Sequence, residues 1–256
     1  MIRNVAVLSK FALITAGGSF LSFGLLTAAR AEEPIVAAAP QNADRGARLN
    51  IAPLRIELDA AKTGATVMLT NTSNRPLPVQ TRLFAWSQEG GEDRFAPSGA
   101  LTVSPSIISI APGATQIVRL IRTTGASQGE KHFRLAVDQL PDPALVQSGE
   151  AEARLRFTVP VFLDRDKAAP AALNWRLAGN RIELANSGGQ TARILGIQIK
   201  SASGLSVSVE RNALRYVLGG STIQWTLTGS CPQGPLTIST QIDGQAVNAQ
   251  VSPNCG

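Results

Sequence analysis

The stretch EAEARLRFTVPVF, from Glu150 to Phe162, constrains this chain more tightly than any other. Ala151, Ala153, Leu155, Phe157, Val159 and Val161 share one parity, while Glu152, Arg154, Arg156 and Thr158 take the other until Pro160 interrupts. Alternation with a period of two predicts a strand with one apolar and one wet face. Proline has no N–H for a ladder, so it belongs on an edge strand, at a strand end or at a bulge. An apolar edge strand invites another chain to pair with it. Either the fold hides this edge, or the invitation is its purpose.

The rest of the chain carries the same signature. From Leu49 onward, short runs rich in Val, Ile, Leu, Thr and Ser alternate with Gly, Pro and Asn turns, which predicts an all-β protein. Strands are expected at Leu49–Leu58, Ala65–Asn71, Pro78–Ser87, Ile107–Ile110, Gln116–Arg122, Lys131–Leu140 and Ala151–Leu163. About seven strands in roughly 115 residues suit an immunoglobulin-like sandwich. Residues 164–172, DRDKAAPAA, read as a polar, Pro/Ala-rich linker. A second set of strands runs from Leu173 to the end, with a hairpin turning at Asp243-Gly244. The expected architecture is two immunoglobulin-like β-sandwiches in tandem, residues 49–163 and 173–256.

The N-terminus adds a compartment. Arg3 and Lys10 precede an apolar stretch, Phe11 to Ala28, and Ala29-Arg30-Ala31 is a small-x-small site. This reads as a cleavable signal peptide, residues 1–31, since glycines and serines make the stretch a poor membrane span. Residues 32–48, rich in Ala and Pro, are expected to be disordered. The full chain has 24 Lys and Arg against 18 Asp and Glu; removing the leader takes three cations and no anion, leaving a modestly basic mature protein. Those cations are scattered singly along strands, a distribution that argues against a nucleic-acid partner. The two cysteines, Cys231 and Cys255, flank the last hairpin almost symmetrically, so a disulfide could staple its open end, worth about 3 kcal/mol. Their spacing does not resemble a zinc site.

Signals for catalysis are thin. A single histidine, His132, sits within an expected strand, and no G-x-S-x-G elbow or phosphate-cradling glycine loop follows a strand. Carboxylate pairs such as Asp164 and Asp166 read as solvated charges. The expectation is a binding protein with no cofactor or metal. Its rivals are an exported β-sandwich subunit or adhesin, and an exported hydrolase centred on His132.

Four blocks give the binding reading a direction. LNIAPLRIELDA (Leu49–Ala60), VMLTNTSNRPLPVQTRLFAW (Val67–Trp86), VSPSIISIAPGATQIVRL (Val103–Leu120) and EKHFRLAVDQLP (Glu130–Pro141) fall in one order. Together they resemble the periplasmic chaperones of pilus assembly, the PapD-type family. The resemblance covers most of the first domain; the second is similar in size, strand content and its cysteine-flanked hairpin.

That resemblance implies a periplasmic chaperone that lends Ala151–Leu163 to a fimbrial subunit lacking its last strand, a form of β-strand addition. Ala153, Leu155, Phe157 and Val159 would fill the subunit's groove. Arg55 would hold the subunit's C-terminal carboxylate in the cleft between domains. The family's second cation there, a lysine on the donor strand, is replaced by Pro160 in a gapless alignment. Glu130, Arg165 and Asp243 would form an interdomain charge cluster, although gapless alignment puts Asp164 in the arginine's place. Fimbrial subunits, and an outer-membrane usher, would be the partners, with no stable membrane insertion.

Overall fold

A short strand with one apolar face cannot bury it alone, so these strands stack as sheets in pairs. The structure, a computed structural model, describes residues 48–141 and 154–252. The expected leader, nearly all of the segment expected to be disordered, Ala153 and Cys255 lie outside the described residues.

The first sandwich contains β1 (Leu49–Ala52), β2 (Ile56–Leu58), β3 (Gly64–Asn71), β4 (Leu77–Glu89) and β5 (Glu92–Pro97). It continues through β6 (Leu101–Ser104), β7 (Ile107–Ile110), β8 (Thr115–Arg122), β9 (Lys131–Gln139) and β10 (Arg156–Leu163). One sheet has the order β1-β3-β8-β6; the other is β2-β10-β9-β4-β5, with β7 also on β4. Val67, Leu69, Val118 and Leu120 from the first sheet share a core with Val79, Leu135, Val159 and Val161 from the second.

The second sandwich holds β11 (Leu173–Ala178), β12 (Arg181–Asn186), β13 (Ala192–Ser201) and β14 (Ser206–Val207). Its remaining strands are β15 (Leu214–Val217), β16 (Thr222–Thr226), β17 (Leu236–Ile242) and β18 (Gln245–Val251). Its sheets are β11-β12-β16 and β14-β13-β17-β18, with β15 also on β13. The β17–β18 hairpin pairs Ile242 with Gln245, so Asp243 and Gly244 form its two-residue turn. Both have positive φ, 49° and 89°, as a turn matching the strand twist requires. Cys231, before β17, is disulfide-bonded.

The structure differs from the sequence reading in several places, β6 among the strands not expected, and three of the differences have a clear physical reason. The strand expected over Leu49–Leu58 is two strands. Pro53 has no N–H for either ladder, and the chain leaves β3 after Ala52 to run parallel to β10 from Ile56. Strand β5 went unseen because all six residues of EDRFAP are exposed, leaving no apolar alternation to read. Asp164 is not solvated: it is buried, at 1% exposure, in an ion pair with Arg122. The segment after β10 is therefore a fastened joint, closed by a short 3-10 turn at Arg165–Lys167.

Candidate functional site: an open strand edge beside the junction of two sandwiches

Strand β10 pairs with β9 along its whole length, Arg156 opposite Asp138 through Leu163 opposite Lys131. On its other side β2 covers only Val161–Leu163. Residues Arg156 to Pro160 thus form an edge with no strand on it among the described residues.

The polarity of that edge follows from one hydrogen bond. Gln139 N–H donates to Leu155 O at 2.9 Å. Because antiparallel partners alternate between bonded and non-bonded pairs, the odd residues of β10 bond to β9. The even ones, Arg156, Thr158 and Pro160, turn their backbone groups outward. Pro160 therefore forfeits no bond to β9, and its missing N–H faces the open side. Among the described residues nothing bonds to the N–H and C=O of Arg156 and Thr158. Consistently, Asp164 N–H donates to Leu58 O of β2 at 2.8 Å.

Side chains grade along the strand. Leu155, just before β10, is 40% exposed; Phe157 is half-buried against the core. With Leu49, Leu77 and Val137 they line an apolar recess at the open end of the first sandwich. Val159 corrects the sequence reading: at 2% exposure it belongs to the chain's own core and is not free to enter another protein's groove. The far end of β10 is buried on both faces, because Phe162, of the outward parity, packs with Trp86, Tyr216 and Leu218 between the sandwiches.

That junction is built from aromatic contact and matched polar groups. The Trp86 and Tyr216 rings meet edge-on at 5.5 Å. Gln88 on β4 donates from Nε2 to Tyr216 O at 2.8 Å and accepts at Oε1 from Leu218 N–H at 3.0 Å. Arg215 donates to Gly91 O at 2.6 Å.

Around this cluster runs a chain of charges. Glu130 accepts from Arg165 Nη1 at 2.5 Å and from Thr191 N–H at 2.9 Å, with His132 Nε2 at 3.2 Å. Arg165 Nε lies 3.9 Å from Glu57, which is bound at 2.5 Å by Arg55. Arg55 Nη1 is 3.7 Å from Asp243, and its guanidinium covers the Phe162 ring at 4.7 Å. The structure thus joins Glu130 and Arg165 directly, while Asp243 meets neither and is linked through Arg55 and Glu57.

Burial alone would raise the Glu130 carboxyl, but hydrogen bonds from His132, Thr191 and Arg165 outweigh it and bring it down to about 2. A lowered carboxylate stabilises the fold above its unfolded value, near 4.5, and that contribution disappears as pH falls toward 2. Its size is about 3 kcal/mol. Glu130→Gln is therefore expected to flatten the fall in stability between pH 4.5 and 2 by Glu130's share of it, leaving the share of the other lowered carboxylates, Asp138 and Asp164, in place; the urea midpoint against pH reads this, and an unchanged pH profile would contradict it.

Several of these residues gave no usable sequence signal. Glu57, Gln88 and Thr191 look like ordinary strand or turn residues, and only their partners across the junction reveal them. Phe162 did signal, since it breaks the parity of its strand. Among the described residues no cluster of His, Cys, Asp and Glu could hold a metal ion, and no helix is long and apolar enough to cross a membrane.

The fold has known counterparts. Residues 48–166 match the family described as pili and flagellar-assembly chaperone, PapD N-terminal domain. A CsuC–CsuE chaperone–tip subunit pre-assembly complex from archaic chaperone-usher Csu pili of Acinetobacter baumannii has a TM-score of 0.63 at 22% identity, covering 80% of this chain and 98% of that one. The E. coli chaperone DraB gives 0.57 at 18%, covering 82% and 97%. The Salmonella enterica SafA pilin in complex with the SafB chaperone gives 0.57 at 16%, covering 79% and 95%. At these identities the likeness is one of fold. No curated protein matches the chain.

Proposed function

We propose that this protein, whose residues 48–166 match the family of pili and flagellar-assembly chaperones, is a periplasmic chaperone that completes fimbrial subunits with its own strand. The observation that carries the reading is the asymmetry of β10, fixed at Val161–Leu163 by β2 and open at Arg156 to Pro160. A subunit strand added there would bond to the backbone of Arg156 and Thr158, while Leu155 and Phe157 entered its core. Backbone pairing gives affinity irrespective of side chain, and the alternate apolar residues set the register. Full burial of each contributes about 1.5–3 kcal/mol before ordering costs. Ala153 would extend the contact by one step. Arg55, at the junction, would meet the end of the added strand, and Glu130, Arg165 and Asp243 would hold the domain angle. A disulfide between Cys231 and Cys255 would secure the second domain in the oxidising periplasm, and the loaded complex would be delivered to an outer-membrane usher.

The test is coexpression with a fimbrial subunit from the same genome, followed by purification through a tag on the chaperone. A stoichiometric subunit, soluble only in the chaperone's presence, is the expected result. A subunit that stays soluble and monomeric without it would overturn the reading.

A further inference from the structure

Long strand edges invite pairing, and this fold guards most of its own. Strands β1, β2, β6, β7 and β14 have four residues or fewer. Strand β5 carries Glu92, Asp93, Arg94 and Pro97, and β11 carries Arg176. The outer backbone of β15 is held by Gln88, and carbonyls of β16 are taken by Arg215 and by the Glu210 N–H. In the second sandwich one edge lacks every such device. Strand β18, QAVNAQV, has seven residues with neither a charge nor a proline, and it ends its sheet beyond β17. Strand β11 approaches it from the opposing sheet, but no ladder joins the two.

The polarity of this edge follows from its hairpin. The two-residue turn at Asp243 and Gly244 makes Ile242 and Gln245 a bonded pair, and the register runs unbroken to Leu236 opposite Val251. Odd-numbered residues of β18 therefore bond to β17, and the backbone groups of Ala246, Asn248 and Gln250 turn outward. Among the described residues nothing bonds to those groups. All three residues are exposed, while Val247 and Ala249 between them are half-buried.

The strand is close to a palindrome about Asn248, with Gln, Ala and Val before it and Ala, Gln and Val after it. Laid antiparallel on a second copy with a twofold axis at that residue, Asn248 meets the partner's Asn248. Ala246 then meets the partner's Gln250, and Gln250 the partner's Ala246. All of these are bonded pairs, so every outward N–H and C=O is satisfied at once. The rows between them set Val247 against the partner's Ala249. No charge opposes a like charge, and the two Asn248 amides can bond across the axis. We propose that β18 is a self-association surface, through which two copies join edge to edge as an isologous pair with one sheet continuous across the axis. A foreign strand would also find bonding groups there, but only a second copy makes the fit reciprocal. The contact belongs to the second domain and does not use β10.

Single cysteines in the full exported chain test the register. In a bonded antiparallel pair the Cα atoms stand about 5.5 Å apart, within disulfide range. Asn248→Cys is therefore expected to give a covalent dimer on mild oxidation, read on a non-reducing gel. Ala246→Cys is the control: its twofold mate lies further along the strand, about 14 Å away, and the variant should remain monomeric. Cross-linking of both variants to the same extent, or of neither, would overturn the inference. Without oxidant, sedimentation equilibrium of the wild type should show a weak monomer–dimer exchange, with a Kd on the order of 100 µM for so small an interface. Asn248→Lys sets two cations face to face and should weaken that exchange about tenfold. A wild type that stays monomeric into the millimolar range would contradict the proposal. So would a dimer that Asn248→Lys leaves intact and Leu155→Glu dissolves, since that result puts the contact on β10.

Discussion

Leu155→Glu is expected to abolish recovery of a coexpressed subunit while the chaperone itself stays folded. Leu155 stands at the mouth of the first sandwich, 40% exposed and outside the core cluster, so its replacement should move the stability of the free protein by no more than about 0.5 kcal/mol. In a complex the same side chain would enter an apolar groove. The variant would forfeit the transfer energy of a leucine and bury a carboxylate with no partner, together roughly 3 kcal/mol or more, which is at least a hundredfold in affinity. The gradient along β10 makes this position diagnostic. Phe157 already leans on the chain's own core and Val159 is inside it, so a glutamate at either would confuse lost binding with lost folding. Soluble subunit recovered in undiminished yield with a folded Leu155→Glu chaperone would remove Leu155 from the contact.

Asp164→Ala is expected to produce the largest loss of stability. The Asp164 carboxylate takes a hydrogen bond from Arg122 at 3.1 Å and from the Ser127 N–H and hydroxyl at 2.7 and 2.8 Å. Arg122 is itself 92% buried on its side chain, at 8% exposure. Deleting the acid leaves a cation in low dielectric with nothing to balance it, a loss of about 3–5 kcal/mol. Alanine would also sit badly in the left-handed backbone at this position, φ 56°. Asp164→Asn separates the two effects, since asparagine tolerates that conformation and keeps acceptor capacity but not charge; it should lose about half as much. Against a total stability of about 5–15 kcal/mol, the alanine variant would stand near the threshold of folding. Although burial pushes the Asp164 carboxyl upward, the bonds from Ser127 and Arg122 hold it below its ordinary value. Its contribution is thus complete above the unfolded carboxyl value and fades on acidification. Chemical denaturation of the three proteins at neutral pH measures all of this, and equal midpoints would refute it.

The joint explains why this residue matters beyond stability. Asp164 fixes the end of β10 to the opposite sheet through Arg122 of β8, and its N–H ties the chain to β2. A strand held rigidly at one end can present the other without drifting in register.

How much of this was readable in residues depended on whether the determining interaction was local. The alternation of Leu155, Phe157, Val159 and Val161 specified a strand and its inner face, and Pro160 specified an edge; both are properties of neighbours in sequence. Where the inner face stops being available to another protein was not readable. Val159 and Phe157 both lie beyond the reach of β2 and differ in how deeply each packs into the core, which no neighbour in sequence announces. The family blocks contained Arg55 and Glu130, and the resemblance implied a cluster of Glu130, Arg165 and Asp243; in the structure Arg165 meets Glu130 while Asp243 lies nearest Arg55. Asp164 was misread as a linker charge because nothing near it announces Arg122, which lies 42 residues earlier.

Amide hydrogen exchange on β10, with and without a bound subunit, tests the central claim most directly. In the free protein the N–H groups of Arg156 and Thr158 should exchange rapidly while those of Phe157 and Val159, bonded to β9, are protected. Subunit binding should slow Arg156 and Thr158 by at least about a hundredfold and leave their odd-numbered neighbours nearly unchanged. Equal protection of Arg156 and Thr158 in both states would mean that this edge is never lent.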